Sequence, residues 1–173
     1  MNRDRGGYSA AGPLNLLPRP LLEPRRPLVA IATGWVTAFV PSILLAWLVT
    51  TLMPPGSQPS FEVDGTLAVF MLVIFAPLVE TLIMAGILTL LLRFTAPATA
   101  VLVSAALWGI AHSLMAPAWG LVIWWPFLVF STLFVTWRQR SLLAALAVPA
   151  TVHALQNLPP ALLLLQAQGS AAP

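Results

Sequence analysis

The chain has 173 residues, of which 59% are apolar and 8% charged. Soluble domains carry about 25% charged residues, so this chain has too little polar surface to solvate a globule, and lipid is its natural solvent. All eight basic residues are arginine. They lie at the ends of apolar stretches rather than on one basic face with interleaved aromatics, which argues against nucleic acid as a partner. With no cysteine present, a disulfide, a thiolate nucleophile and a thiolate-bound metal are all excluded.

Residues 1–27 read as a flexible, Arg- and Pro-rich tail in which no short apolar core precedes a signal-cleavage site. Its five arginines, Arg3, Arg5, Arg19, Arg25 and Arg26, suit anionic lipid headgroups. A membrane-crossing helix needs about 20 apolar residues. The first predicted span covers 28–53, bent at Pro41, and 54–65 is a loop with Glu62 and Asp64 near its end. The second span covers 66–92 and stops at Arg93. The third covers 97–115. The fourth covers 119–137 and is closed by Arg138 and Arg140, with Trp119 and Trp137 placed as an aromatic belt. The fifth covers 141–158 and is broken by Pro159-Pro160. That leaves 161–166 as a half-span or interfacial helix, and 169–173 as a short tail.

The predicted fold class is therefore all-α: a polytopic transmembrane helical bundle of about five spans, with one membrane domain over 28–168 and no inverted repeat of the transporter kind. A cytoplasmic N-terminus puts all eight arginines on the cytoplasmic side of five spans, as the positive-inside rule requires. Arginine as the sole basic residue in an Ala- and Pro-rich chain suits a high-GC bacterium, and hence its inner (cell) membrane.

Four polar residues interrupt the apolar spans. Glu80 lies deep in the second, where an ionised acid costs about 2.5–3.5 kcal/mol. His112 lies near the end of the third. His153 and Asn157, four apart on one helix face, lie in the fifth. Each has a structural alternative: a neutral glutamic acid bonded to a carbonyl, a satisfied core histidine, or an interhelical clasp from His153 and Asn157 worth about 0.6 kcal/mol. Ionisable groups in three separate spans favour function over these. Glu80 and His153 are each about 18 Å of helix from the cytoplasmic end, and His112 and Asn157 about 24 Å, so the four can meet at one level in the outer half of the membrane. A carboxylate beside an imidazole can take a proton from water, and a second imidazole with an amide can donate to an oxyanion. Glu80, His112 and His153 could instead hold a divalent metal such as zinc.

Trp108-Gly-Ile-Ala-His112, His153-Ala-Leu-Gln-Asn157 and Glu80-Thr81-Leu-Ile-Met-Ala85-Gly86 together resemble the CPBP (CAAX protease and bacteriocin-processing, or Abi) family, which includes the type-2 CAAX prenyl endopeptidases. The family motifs are Glu-Glu-x-x-x-Arg, Phe-x-x-x-His and His-x-x-x-Asn (or Asp). Here Trp108 stands for Phe, Thr81 for the second glutamate and Ala85 for the arginine. The resemblance covers roughly 66–158. It implies an intramembrane endopeptidase, glutamic-type or metallo-type, in which Glu80 and His112 activate water while His153 and Asn157 stabilise the oxyanion. It also implies a membrane-embedded or lipid-anchored protein or peptide as substrate, and a site toward the outer leaflet fits a sorting protease of the myxosortase type. Thr81 and Ala85 motivate the alternative of a non-catalytic membrane adaptor or bacteriocin-immunity-type protein. Intramembrane Glu and His would also serve a small proton-coupled transporter.

Overall fold

The computed structural model describes residues 13–54, 57, 59 and 65–171. The loop acids Glu62 and Asp64, and the tail residues Arg3 and Arg5, lie outside them. Among the described residues there are helices and no strand. Five helical stretches are long and apolar enough to cross a membrane, so the expected all-α, five-span bundle stands and the protein is an integral membrane protein. A short helical turn, α1 (Arg19–Leu22), precedes the first span, α2 (Pro27–Leu52). The second span is composite: α3 (Gly65–Phe70), a π-helical turn (Met71–Phe75) and α4 (Ala76–Leu91). α5 (Pro97–Met115), α6 (Pro117–Trp137) and α7 (Leu142–Ala171) complete the bundle.

α6 is the central helix: 67% of its most apolar stretch is buried, against 22–39% for the other four spans. Every residue from Phe127 to Trp137 along it is buried. Small residues let neighbouring backbones come close, as helix packing in lipid demands. Gly34 of α2 faces Leu133 and Val152, where an added Cβ would lie 3.1 and 3.3 Å from their methyl groups. A buried hydroxyl pair, Ser131 to Ser104 at 3.0 Å, ties α6 to α5.

Three expectations change. The flexible tail of 1–27 is folded from residue 13, where a 3-10 turn and α1 bury Leu14, Leu17 and Leu21 against the core. Arg140 reaches back to the carbonyls of Pro24 and Arg25 at 3.4 Å, so this segment and the α6–α7 turn share one end of the bundle. Trp119 and Trp137 do not form an outward belt. Trp137 is 1% exposed, in the half of α6 that is buried on every face, and the half-buried Trp119 packs edge-on to His112 at 4.7 Å. Finally, Pro159-Pro160 does not break the fifth span. α7 continues as one helix to Ala171, takes up 161–166, and places the Gln168 side chain on the Gly65 amide at 2.8 Å.

The continuation has a physical cause. A proline inside a helix frees the carbonyl four residues earlier, and in lipid that carbonyl must be answered from elsewhere. Pro159 frees Leu155 O, which accepts from Trp35 Nε1 of α2 at 3.1 Å. Pro41 frees Thr37 O, which accepts from Trp125 Nε1 of α6 at 2.8 Å. The bends are thus also interhelical ties. Trp35→Phe leaves a smaller aromatic ring and removes the donor, so it should destabilise the bundle by about 1–3 kcal/mol. Pro159→Ala in that background, which returns an N–H to the same carbonyl, should recover the hydrogen-bond part of the loss. Thermal unfolding in detergent measures both.

Candidate functional site

Glu80 enters the site one turn after Pro77, at the start of α4. Its Oε2 lies 3.7 Å from His153 Nε2 of α7, and the two side chains are 25% and 5% exposed. The acid is therefore the half of the pair that something outside can reach. Its helix neighbours Val79 and Ile83 are exposed too.

His153 is walled by α6. Its ring stacks on Phe130 with centroids 4.6 Å apart and meets the edge of Phe127 at 5.3 Å. His112, in the last turn of α5, is buried beside the same Phe127 at 5.8 Å. Phe127 in turn stacks on Trp108 at 4.2 Å. One phenyl ring is thus the shared wall of both imidazoles. His112 Nδ1 lies 2.8 Å from Trp108 O. A carbonyl only accepts, so Nδ1 carries the hydrogen, and in the neutral ring Nε2 holds the free lone pair.

The α5–α6 hairpin that presents His112 and Trp119 closes around two glycines. A Cβ on Gly120 would overlap the Gly109 carbonyl and the Ser113 hydroxyl, and one on Gly109 would lie 3.0 Å from Trp124 Cβ. Asn157, one turn beyond His153, donates from Nδ2 to Leu72 O in the π turn at 2.9 Å. The described structure thus joins Glu80 to His153 directly, His112 to His153 through Phe127, and Asn157 to the Glu80-bearing span through Leu72. The resemblance pairs Glu80 with His112, whereas the imidazole within ion-pair reach of Glu80 is that of His153.

Buried side-chain atoms without a hydrogen-bond partner concentrate here. Thr81 Oγ1, Trp108 Nε1, His153 Nδ1 and Gln156 Oε1 all belong to site residues or to residues within a turn of them, with Trp137 Nε1 the exception among the described residues. Buried polar groups normally find partners, and each exception calls for an explanation such as strain, an ordered water or a chemical role. Among the described residues no three His, Asp or Glu side chains come together at metal-holding spacing.

Thr81 and Ala85, which replace Glu and Arg of the motif, are both buried on α4, four residues apart. A glutamate and an arginine there would form an i, i+4 pair in the interior. Losing one alone would strand a buried charge, at a cost of about 3–5 kcal/mol, so their joint replacement is the tolerable change. Gly86 meets nothing within 4 Å of an added Cβ, so close packing does not require a glycine there.

The aromatic walls Phe127, Phe130 and Trp119, and the carbonyl of Leu72, are site elements that motif reading does not identify. The aromatic density of α6 was the one signal for the first three.

Fold and site together define a polytopic α-helical membrane protein with an acid–imidazole pair inside its bundle. The family model described as type II CAAX prenyl endopeptidase Rce1-like matches residues 62–159. That is more than half of the chain, and the chain belongs to this family, one of CAAX-type intramembrane proteases. No curated protein and no solved structure matches it.

Gly120→Ala should force α5 and α6 apart and move His112 off Phe127. The expected result is a lower melting temperature together with loss of whatever activity the site supports. Gly86→Ala should change neither, and a thermal melt beside an activity assay compares the two.

Proposed function

We propose that the protein is an intramembrane endopeptidase that hydrolyses a peptide bond in a membrane-embedded or lipid-anchored protein. Glu80 and His112 activate the water, and His153 and Asn157 stabilise the oxyanion. The observation that carries this reading is the Glu80–His153 contact at 3.7 Å inside an apolar bundle, in a chain of a protease family.

The attacking water, held by Glu80, gives a proton to His112 Nε2 as its oxygen bonds to the scissile carbonyl carbon. The negative charge that develops on the carbonyl oxygen is met by N–H donors of His153 and Asn157. Collapse of the tetrahedral intermediate breaks the C–N bond, and the stored proton goes to the leaving amine. His112 suits the role of base because its Nδ1 bond to Trp108 O leaves Nε2 free. Asn157 keeps one amide hydrogen for the oxyanion, since Nδ2 carries two and Leu72 O takes one. His153, held between Phe130 and Phe127, is oriented in advance.

The part-exposed carboxyl of Glu80 beside the exposed Val79 and Ile83 fits a substrate that arrives sideways through the bilayer. With the arginine-bearing end toward the cytoplasm, the site falls in the outer half of the membrane. That position fits a sorting-type protease that cuts near the exported side of a C-terminal anchor, in a bacterial inner membrane.

Glu80→Gln and His112→Ala should each lower cleavage by at least about 100-fold while the protein still inserts and keeps its melting temperature within a few degrees. The assay compares the membrane proteome of cells carrying wild type or either variant, looking for a substrate that stays uncut. Wild-type cleavage by both variants would remove the catalytic assignment, whereas a wild-type protein that hydrolyses nothing would favour the non-catalytic adaptor.

A further inference from the structure

The hydrogen bond from Asn157 to Leu72 O has a cause in the covalent chain. In an α-helical pattern the donor to Leu72 O is the amide of Ala76, but that amide bonds Met71 O and so makes the π turn. In a π pattern the donor would be the amide of residue 77, and residue 77 is proline, with no N–H. Leu72 O is therefore left open by its own backbone within a membrane span, and the Asn157 side chain answers it from α7 at 2.9 Å. Four residues before Asn157 on the same helix, His153 meets Glu80, and Glu80 follows Pro77 by three residues. Pro77 itself is fully buried. The two contacts join the same two spans on either side of the proline.

We infer that Asn157 is a positioning residue. By occupying the carbonyl that Pro77 leaves without a donor, it fixes the π turn against α7 and holds Glu80 in register with His153. This is a different task from donating to an oxyanion, and it uses the other amide hydrogen. Its consequence for rate rests on the endopeptidase reading, whereas its consequence for the fold does not.

The test is a double-mutant cycle between Asn157→Ala and Pro77→Ala, in the full-length protein in detergent and in native membranes. The Pro77→Ala substitution returns an N–H that can serve Leu72 O, so the demand on Asn157 disappears. With Pro77 in place, Asn157→Ala should lower the melting temperature and cut kcat by about ten-fold or more, with KM changed less than about two-fold. In the Pro77→Ala background the melting penalty should vanish, and the kcat penalty should shrink without disappearing, because the oxyanion donor is still missing. Pro77→Ser, which restores the same N–H, provides the second background should Pro77→Ala not fold. Equal penalties for Asn157→Ala in both backgrounds, in melting temperature or in kcat, would overturn the inference. If wild type cleaves nothing, the endopeptidase reading fails on its own and the melting temperatures still decide the role of Asn157.

Discussion

A backbone carbonyl inside hydrocarbon has no water to turn to, and that constraint organises this bundle. Of the prolines within the spans, those at positions 41, 77 and 159 deprive three carbonyls of their helical donors, and each accepts from a side chain on a different helix: Trp125, Asn157 and Trp35. The three bonds tie α2 to α6, the second span to α7, and α2 to α7. In water such bonds would be exchanged for solvent at little cost. In lipid the alternative is an orphaned acceptor, so they act as ties between helices whose facing surfaces are otherwise no more apolar than the acyl chains around them.

The site is built on the same frame. Glu80 follows one of these prolines, and Asn157, the donor for that proline's carbonyl, shares a helix face with His153. The aromatic face of α6 then fixes both imidazole rings through Phe127. A rotation of α4 or α7 by one residue would carry the acid away from His153. The ties that correct for proline are thus also what keep acid and imidazole at a common level, and stability and chemistry share residues here.

Much of this was legible in the residues themselves. Hydropathy and arginine placement gave five spans, because the membrane demands long apolar runs ended by charge. The four polar residues stood out because each is costly where it lies. What could not be read was rotation: which imidazole meets Glu80 depends on how helices turn about their axes, and four-residue spacing within one helix says nothing of its neighbour. The break expected at Pro159-Pro160 failed for a related reason. The local rule is sound for an isolated helix, but the donor that keeps this one continuous, Trp35, is 120 residues away in sequence. Likewise Leu14, Leu17 and Leu21 are too few to mark residues 13–22 as folded until α6 supplies a surface for them.

The most direct measurement exploits the absence of cysteine in the chain. Cysteines placed at positions 80 and 153 should be joined, in native membranes, by a thiol-to-thiol reagent just long enough to replace the two side chains. Cysteines at 79 and 153 should react far less, because Val79 faces outward. Efficient linkage of the 80/153 pair alone is what an acid meeting an imidazole inside the bundle predicts. Failure of that pair, or equal linkage from position 79, would mean that Glu80 looks elsewhere and that the proposed site does not exist.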